Sequence, residues 1–202
     1  MEHAAGTMTD LVFDVEGRNL PRDYSFPLLR EIRQHLPWLE SVADAGIHPL
    51  RGALTADGAL VLARRAKLVL RLPESLMQDA LALCGAVLVV EGEKLTVAGA
   101  KQRRLLPFAT LYAHFVAAAS DDEQAFTRDI EARLEDLQTP CMLVCGRRRV
   151  MRTDGQDLVG FSLMLHGLAP EHSLLLQQVG LGGNRAMGCG IFVRHKAVAA
   201  VG

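Results

Sequence analysis

The sequence predicts an α+β protein made of two tandem ferredoxin-like (βαββαβ) halves, residues 8–104 and 105–202, each setting an antiparallel sheet against helices on one face. Three observations carry that reading. A chain of 202 residues is long for one minimal module and suits two domains of roughly 100 residues each. The second half reads cleanly as strand, helix, strand, strand, helix, strand. The first half repeats that order with less even spacing and an extra hairpin.

In the first half, residues 11–15 combine β-branched, aliphatic and aromatic side chains and read as a strand. Asp23 or Ser25 caps a helix reaching about His35, with Leu28, Leu29, Ile32 and Leu36 at helical spacing and Pro37 as its stop. Strands at 50–55 and 59–62 meet in an Asp57-Gly58 turn. Residues 67–72 form a further strand, and Pro73 opens a short helix to about Cys84. Residues 86–90 and 94–97 make a hairpin around Gly92, and 103–108, with Pro107, cross into the second half.

There, 110–118 is a strand and 121–137 an amphipathic helix, capped by Ser120 or Asp121, with Phe126, Ile130, Leu134 and Leu137 on one face. Strands 142–152 and 157–165 join at Asp154-Gly155, a strong hairpin signal, and a helix at 170–179 and a strand at 191–193 complete the unit. With that turn, Arg149 faces Gly160 and Arg148 faces Phe161. Val144, Val150, Val159, Phe161, Leu163 and Leu165 then line the helix-packed face. Arg147 and Arg149 fall on the open one, and Arg148 snorkels out from the apolar side.

Composition excludes several classes. With 50% hydrophobic and 22% charged residues the chain can bury a core, and no apolar run approaches the roughly 20 residues of a membrane span. Four cysteines do not make a disulfide scaffold and the N-terminus carries no export signal, so the expected setting is the cytoplasm, with residues 1–7 a loose leader or expression remnant. A net charge of −1 speaks against a nucleic-acid partner only until it is resolved along the chain. Residues 121–136 hold seven acids against two bases, a local −5, which leaves the remainder at +4. That remainder is clustered: Arg64, Arg65, Lys67 and Arg71; Lys101, Arg103 and Arg104; Arg147, Arg148, Arg149 and Arg152; Arg185, Arg194 and Lys196. Any one run reads as a solvated edge, whereas four together, with the acids confined to one helix, point to a polyanion-binding face.

Five of the 18 glycines fall between Gly180 and Gly190. A dinucleotide loop would follow a strand and open a helix, and here the order is inverted, from helix to strand. The density of glycine suggests backbone amides brought close to phosphates, with a flexible connector as the plain alternative. A Gly-rich loop between the last helix and last strand of a second ferredoxin-like half resembles the signature of the RAMP superfamily of CRISPR-associated proteins, with its RRM-like folds. Leu36-Pro37-Trp38-Leu39, Gly46-Ile47-His48-Pro49-Leu50-Arg51-Gly52, Leu70-Arg71-Leu72-Pro73 and Thr110-Leu111-Tyr112-Ala113 are similar to the repeat-processing endoribonuclease of the Myxan subtype.

That resemblance implies cleavage of precursor CRISPR RNA within each repeat, without metal or other cofactor, by attack of a ribose 2′-hydroxyl to give a 2′,3′-cyclic phosphate. It selects His48, just past the first helix, for proton transfer, a role that suits imidazole at neutral pH. Tyr24 and Arg51 are the positions that could supply the family's added tyrosine and basic group. His35 is the rival, read as partly buried on its helix, and His114 reads as core. Expected RNA contacts are Arg64, Arg65, Arg103, Arg104, Arg147, Arg149, Arg185 and the backbone of Gly180, Gly182, Gly183, Gly188 and Gly190. With 5% aromatic residues, stacking platforms are few, so shape recognition of a repeat stem-loop is expected over base-by-base reading. Cys141 and Cys145, four apart on a strand, lie roughly 13 Å apart, too far to share zinc. The other readings are a non-catalytic RNA-binding subunit of a multisubunit CRISPR effector complex, and a ferredoxin-like metabolic enzyme or sensor.

Overall fold

The computed structural model describes residues 7–195; the expected leader apart from Thr7, and Lys196 of the fourth basic run, lie outside them. The chain forms two compact units. The first runs through Leu105 and takes in Arg152–Gln156 and Arg185–Gly188; the second holds Leu106–Met151, Asp157–Asn184 and the residues from Cys189 on.

The first unit is built on a five-stranded antiparallel sheet in the order β3 (Gly46–Ile47), β6 (Lys67–Pro73), β1 (Met8–Glu16), β8 (Glu93–Arg104) and β7 (Val87–Val90). The central strand β1 (Met8–Glu16) pairs with β6 (Lys67–Pro73) on one side and β8 (Glu93–Arg104) on the other. Leu11 and Phe13 project from β1 into a core shared with Leu28, Leu29 and Ile32 of α1 (Ser25–His35). The helix begins at Ser25 after Tyr24, which makes no side-chain cap, so neither Asp23 nor Ser25 is the N-cap residue. The edge strand β3 is only Gly46–Ile47, too short to show a period in sequence, and it carries the chain directly to His48. The expected hairpin at 50–62 is present as β4 (Gly52–Leu54) and β5 (Leu60–Leu62), but it joins β2 (Asn19–Leu20) in a separate three-stranded sheet. The helix expected from Pro73 to Cys84 shrinks to one turn, α2 (Met77–Ala80), flanked by 3-10 turns. β8 continues to Arg104 where a crossover was expected, because Lys101 to Arg104 pair with Val12 to Thr9 of β1. The hairpin partner β7 (Val87–Val90) adds the outer edge.

The second unit follows the expected order closely. Its sheet runs β10-β11-β9-β12, with β9 (Thr110–Ala117), β10 (Met142–Met151), β11 (Leu158–His166) and β12 (Val193–Arg194) all antiparallel to their neighbours. Helix α3 (Glu123–Asp136) buries Phe126, Ile130 and Leu134 against Leu111, Leu163 and Leu165, and α4 (Pro170–Val179) adds Leu176. The cap of α3 is Asp122, whose carboxylate accepts from the amides of Gln124 and Ala125.

The β10–β11 register is as expected near the turn, with Arg148 opposite Phe161 and Arg149 opposite Gly160. A β-bulge between Cys145 and Arg148 then shifts it by one residue. Gly146 makes the bulge possible, since a Cβ there would overlap the Ser162 hydroxyl, and the amide of Arg147 donates to that hydroxyl at 3.0 Å. Val144 is therefore turned to the open face and Leu143 and Cys145 to the core, correcting the expected placement. Val150 is also exposed, not packed under a helix. Among the described residues no helix is long and apolar enough to cross a membrane.

Candidate functional site

The most concentrated chemistry in the first unit is a cluster on the sheet face opposite α1. Strand alternation sends Leu11 and Phe13 to the core and Asp10 the other way. Arg71 lies directly opposite Asp10 on β6, Arg103 opposite it on β8, and the amide of His48 continues the β3–β6 ladder to the carbonyl of Val69. Three cationic or basic side chains thus converge on one carboxylate. Arg71 donates from Nε to Asp10 Oδ1 at 2.8 Å, Arg103 from a terminal nitrogen to Oδ2 at 2.9 Å, and His48 Nε2 lies 3.3 Å from Oδ1. Asp10, His48 and Arg71 are 3%, 7% and 2% exposed, whereas the side chain of Arg103 is 56% exposed.

The electrostatics follow from that geometry. Burial alone would raise the Asp10 pKa, but the bonds and charges of His48 and Arg71 overcome it and hold the carboxyl far below its usual range. His48 moves down, to about 4, through burial first and the Arg71 charge second, with Asp10 pulling the other way. The imidazole is neutral at pH 7. Because ionised Asp10 can only accept, Nε2 carries the hydrogen and donates it, which leaves Nδ1 as the basic nitrogen.

The loop bearing His48 is braced from two directions. The Tyr24 hydroxyl oxygen accepts from the amide of Leu50 at 2.8 Å, and burial pushes its phenol up to about 12, so it remains protonated and positions the loop. On the other side, buried Arg185 donates to the carbonyl of Asp44 at 3.1 Å, and Gly188 lies so close to the Ile47 carbonyl that a Cβ would sit 3.2 Å from it. Arg185 is held down to about 10 by burial and by Arg71, with Asp44 and Asp10 opposing. Arg51 is exposed at the loop's end.

The Gly-rich segment therefore differs from expectation. The amides of Gly180, Gly188 and Gly190 donate to the carbonyls of Leu176, Arg185 and Phe115, so none is turned to a ligand. Gly190 has φ +63 and meets the Leu181 carbonyl where a Cβ would project, a close approach only glycine permits. Arg185 is 5% exposed and committed to the His48 loop. Gly182 is half-buried, and Gly183 and Asn184 face outward.

The basic runs separate in the same way. Arg64 and Arg65 occupy an exposed turn before β6, and Arg104 is exposed at the end of β8. Arg71, expected on a binding face, is among the most buried side chains in the chain, because its charge is neutralised inside by Asp10. Lys67 pairs with Asp14. Arg147, Arg148 and Arg149 are exposed on β10, with Arg148 reaching Asp121 at 3.4 Å. His35 is exposed at the end of α1 and His114 exposed on β9, where partial burial and a core position were expected. Strand alternation turns His114 away from the face that buries Ala113, whereas His35 shares the helix face of buried Ile32 and is exposed as the last residue of α1.

Asp10 and Arg71 were missed as site residues. A signal existed: each is a lone charge inside an apolar strand sequence, Leu-Val-Phe following one and Leu-Val-Leu preceding the other. Two such charges of opposite sign in neighbouring buried strands call for each other. Among the described residues, no group of three or more His, Cys, Asp or Glu side chains is placed to hold a metal ion.

The chain has recognisable relatives. Residues 9–197 match the family model described as Cas6 Crispr. The chain is 38% identical over 185 residues to the CRISPR-associated endonuclease Cas6 of Myxococcus xanthus strain DK1622, covering 91% of this chain and 80% of that protein. A Cas6-related protein from Pyrococcus furiosus superposes with a TM-score of 0.68 at 10% identity, over 94% of this chain and 99% of the other. The CRISPR endoribonuclease Cse3, solved bound to a 19-nucleotide RNA, gives 0.53 at 12% identity over 93% and 98%. At these identities the superpositions establish the tandem ferredoxin-like, RAMP-type fold.

Proposed function

Since the chain belongs to the Cas6 family of CRISPR-associated proteins and is an endoribonuclease by that kinship, we propose that it cuts precursor CRISPR RNA within the repeats by a metal-independent internal transfer. The ribose 2′-oxygen bonds to the adjacent phosphorus, the bond from phosphorus to the 5′-oxygen breaks, and a 2′,3′-cyclic phosphate and a 5′-hydroxyl result. The proton of the 2′-hydroxyl passes to a base, and the leaving oxygen takes one from solvent.

One observation carries the assignment of that base to His48: its imidazole is held in a single tautomer by Asp10, with Nδ1 unprotonated at neutral pH. Arg103, half-exposed beside the same carboxylate, supplies positive charge for the phosphorane-like transition state. At 7% exposure His48 meets a ribose only if the 46–51 loop shifts, and the Tyr24–Leu50 bond is one of the contacts that hold the loop against such a shift. Tyr24 is on this reading a positioning residue, and Arg51, exposed beyond the loop, is the basic side chain nearest in sequence for the scissile phosphate. A repeat stem-loop engages Arg64, Arg65, Arg104, Arg147 and Arg149, with Gly182 and Gly183 as the outward glycines of the 180–190 segment. The protein then acts in the cytoplasm and hands its guide to a multisubunit effector.

One feature favours a second base: His35 is exposed where His48 is not. Single-turnover cleavage of the cognate repeat RNA in excess chelator separates the cases. His48→Ala should keep RNA affinity and lose at least about a hundredfold in rate, while His35→Ala changes little. The reverse pattern moves the base to His35, and loss of cleavage in chelator removes the metal-free mechanism. A repeat carrying a 2′-deoxy sugar at the cut site should bind without reacting. Failure of every variant and the wild type to cut, with binding intact, returns the protein to the non-catalytic subunit class.

A further inference from the structure

The open face of the second sheet carries a constellation that the cleavage chemistry leaves unused. Cross-strand pairing sets Val193, Tyr112, Met164 and Val144 in one lateral row across all four strands, and Thr110, His166 and Met142 in the next. The opposite face holds Leu111, Leu165 and Leu143, so the first two rows lie away from α3 and α4. Met142 and Val144 are 60% and 48% exposed, which is unusual for large apolar side chains on a sheet face. Tyr112 stands at the middle of this surface with two imidazoles against it: His114 edge-on with ring centroids 5.0 Å apart, and His195 tilted at 5.6 Å.

Charge narrows the occupant. The four strands contain Arg147, Arg148, Arg149 and Arg194 and not one Asp or Glu, whereas α3 on the far face carries the acidic run. Arg149 lies on the open face, paired with Gly160. Arg194, paired with Leu111, turns to the other face, where its guanidinium lies 5.2 Å from the Phe108 ring centroid, so it takes no part in this surface. An acid-free sheet face with flat rings at its centre, thioether and valine side chains beside them and the exposed Arg149 at its margin is complementary to unpaired nucleotides. Bases stack on the rings and a phosphate meets the guanidinium.

We infer that the open face of the second sheet is a binding site for single-stranded RNA, in which Tyr112, with His114 and His195, stacks unpaired bases. The inference rests on the RNA-processing reading and adds a second contact: a strand flanking the stem-loop lies on this sheet.

The test uses the full-length protein and two synthetic probes, a short oligoadenosine carrying one 2-aminopurine and a blunt-ended RNA hairpin. Wild type should bind the single strand and quench its fluorescence. Tyr112→Ala and, at an exposed position that leaves the core untouched, His114→Ala should each weaken single-strand binding about tenfold, leave hairpin binding unchanged, and diminish the quench. Tyr112→Phe, which keeps the ring, should bind like wild type. Single-strand affinity and quenching that survive both alanine variants overturn the stacking site, as does a wild-type protein that binds the hairpin and not the single strand. A wild-type protein that binds neither RNA overturns the RNA-processing reading and this inference together.

Discussion

The two larger sheets, of five and four strands, place arginine on their helix-free faces in opposite ways. On the first, Arg71 is 2% exposed and locked to Asp10, which also holds His48 and the half-exposed Arg103. On the second, Arg149 stands exposed on a sheet without a single carboxylate. A buried charge must be neutralised where it lies, because its desolvation outweighs anything a distant partner returns. The arginine that is paired inside therefore shapes a fixed constellation, and the arginine left outside keeps its attraction for a polyanion. Counting basic residues along the sequence treats the two alike, and their energetic roles are different.

The largest effect that would break this contrast is on stability. Asp10→Ala leaves Arg71 buried without its counter-charge and should cost about 3–5 kcal/mol in urea unfolding, whereas Arg149→Ala should stay within about 0.5 kcal/mol. Equal losses would mean that Arg71 is not sealed in the way described. Next comes pH. His48 has a folded pKa of about 4 against an ordinary 6.5, so between those values the unfolded chain takes up a proton that the folded chain refuses. Stability is complete above about pH 6.5 and should fall on the order of 3 kcal/mol by pH 4. Below the ordinary carboxylate range the loss continues, because Asp10 is also depressed and must protonate. A His48→Gln variant should flatten the part of the curve between pH 6.5 and 4; an unchanged slope would assign it to other groups.

Smaller effects sharpen the other side. Removing Arg147 and Arg149 together should leave the melting temperature in place and reduce the slope of log affinity for repeat RNA against log salt by about 1.5–2. A lowered melting temperature with an unchanged slope would make them structural. The smallest change belongs to Arg148→Ala. Its pair with Asp121 is 3.4 Å long and exposed at both ends, so its loss should cost less than about 1 kcal/mol by thermal unfolding.

Much of the second unit was legible in the sequence because its elements are long enough to show their periods. The Phe126, Ile130 and Leu134 stripe, the Asp154-Gly155 turn and the Arg149–Gly160 register all follow from local pattern. The first unit was harder to read for a physical reason. Its second sheet strand is two residues long, its second helix a single turn, and β8 is extended by pairing that residues remote in sequence supply. A bulge at Gly146 moved Val144 to the other face because one inserted residue reverses a period of two.

By itself, the sequence determined the βαββαβ element order of the second half and the separation of acids from bases, since these depend on spacing along the chain. The tertiary structure decided which charges survive at the surface. It drew Asp10 and Arg71, 61 positions apart, into one buried pair beneath His48. It tied the amides of Gly180, Gly188 and Gly190 to carbonyls of the chain and set Gly188 and Gly190 against neighbouring backbone. Burial is a property of where strands meet, and it sets whether an arginine neutralises a carboxylate inside the fold or remains free for RNA.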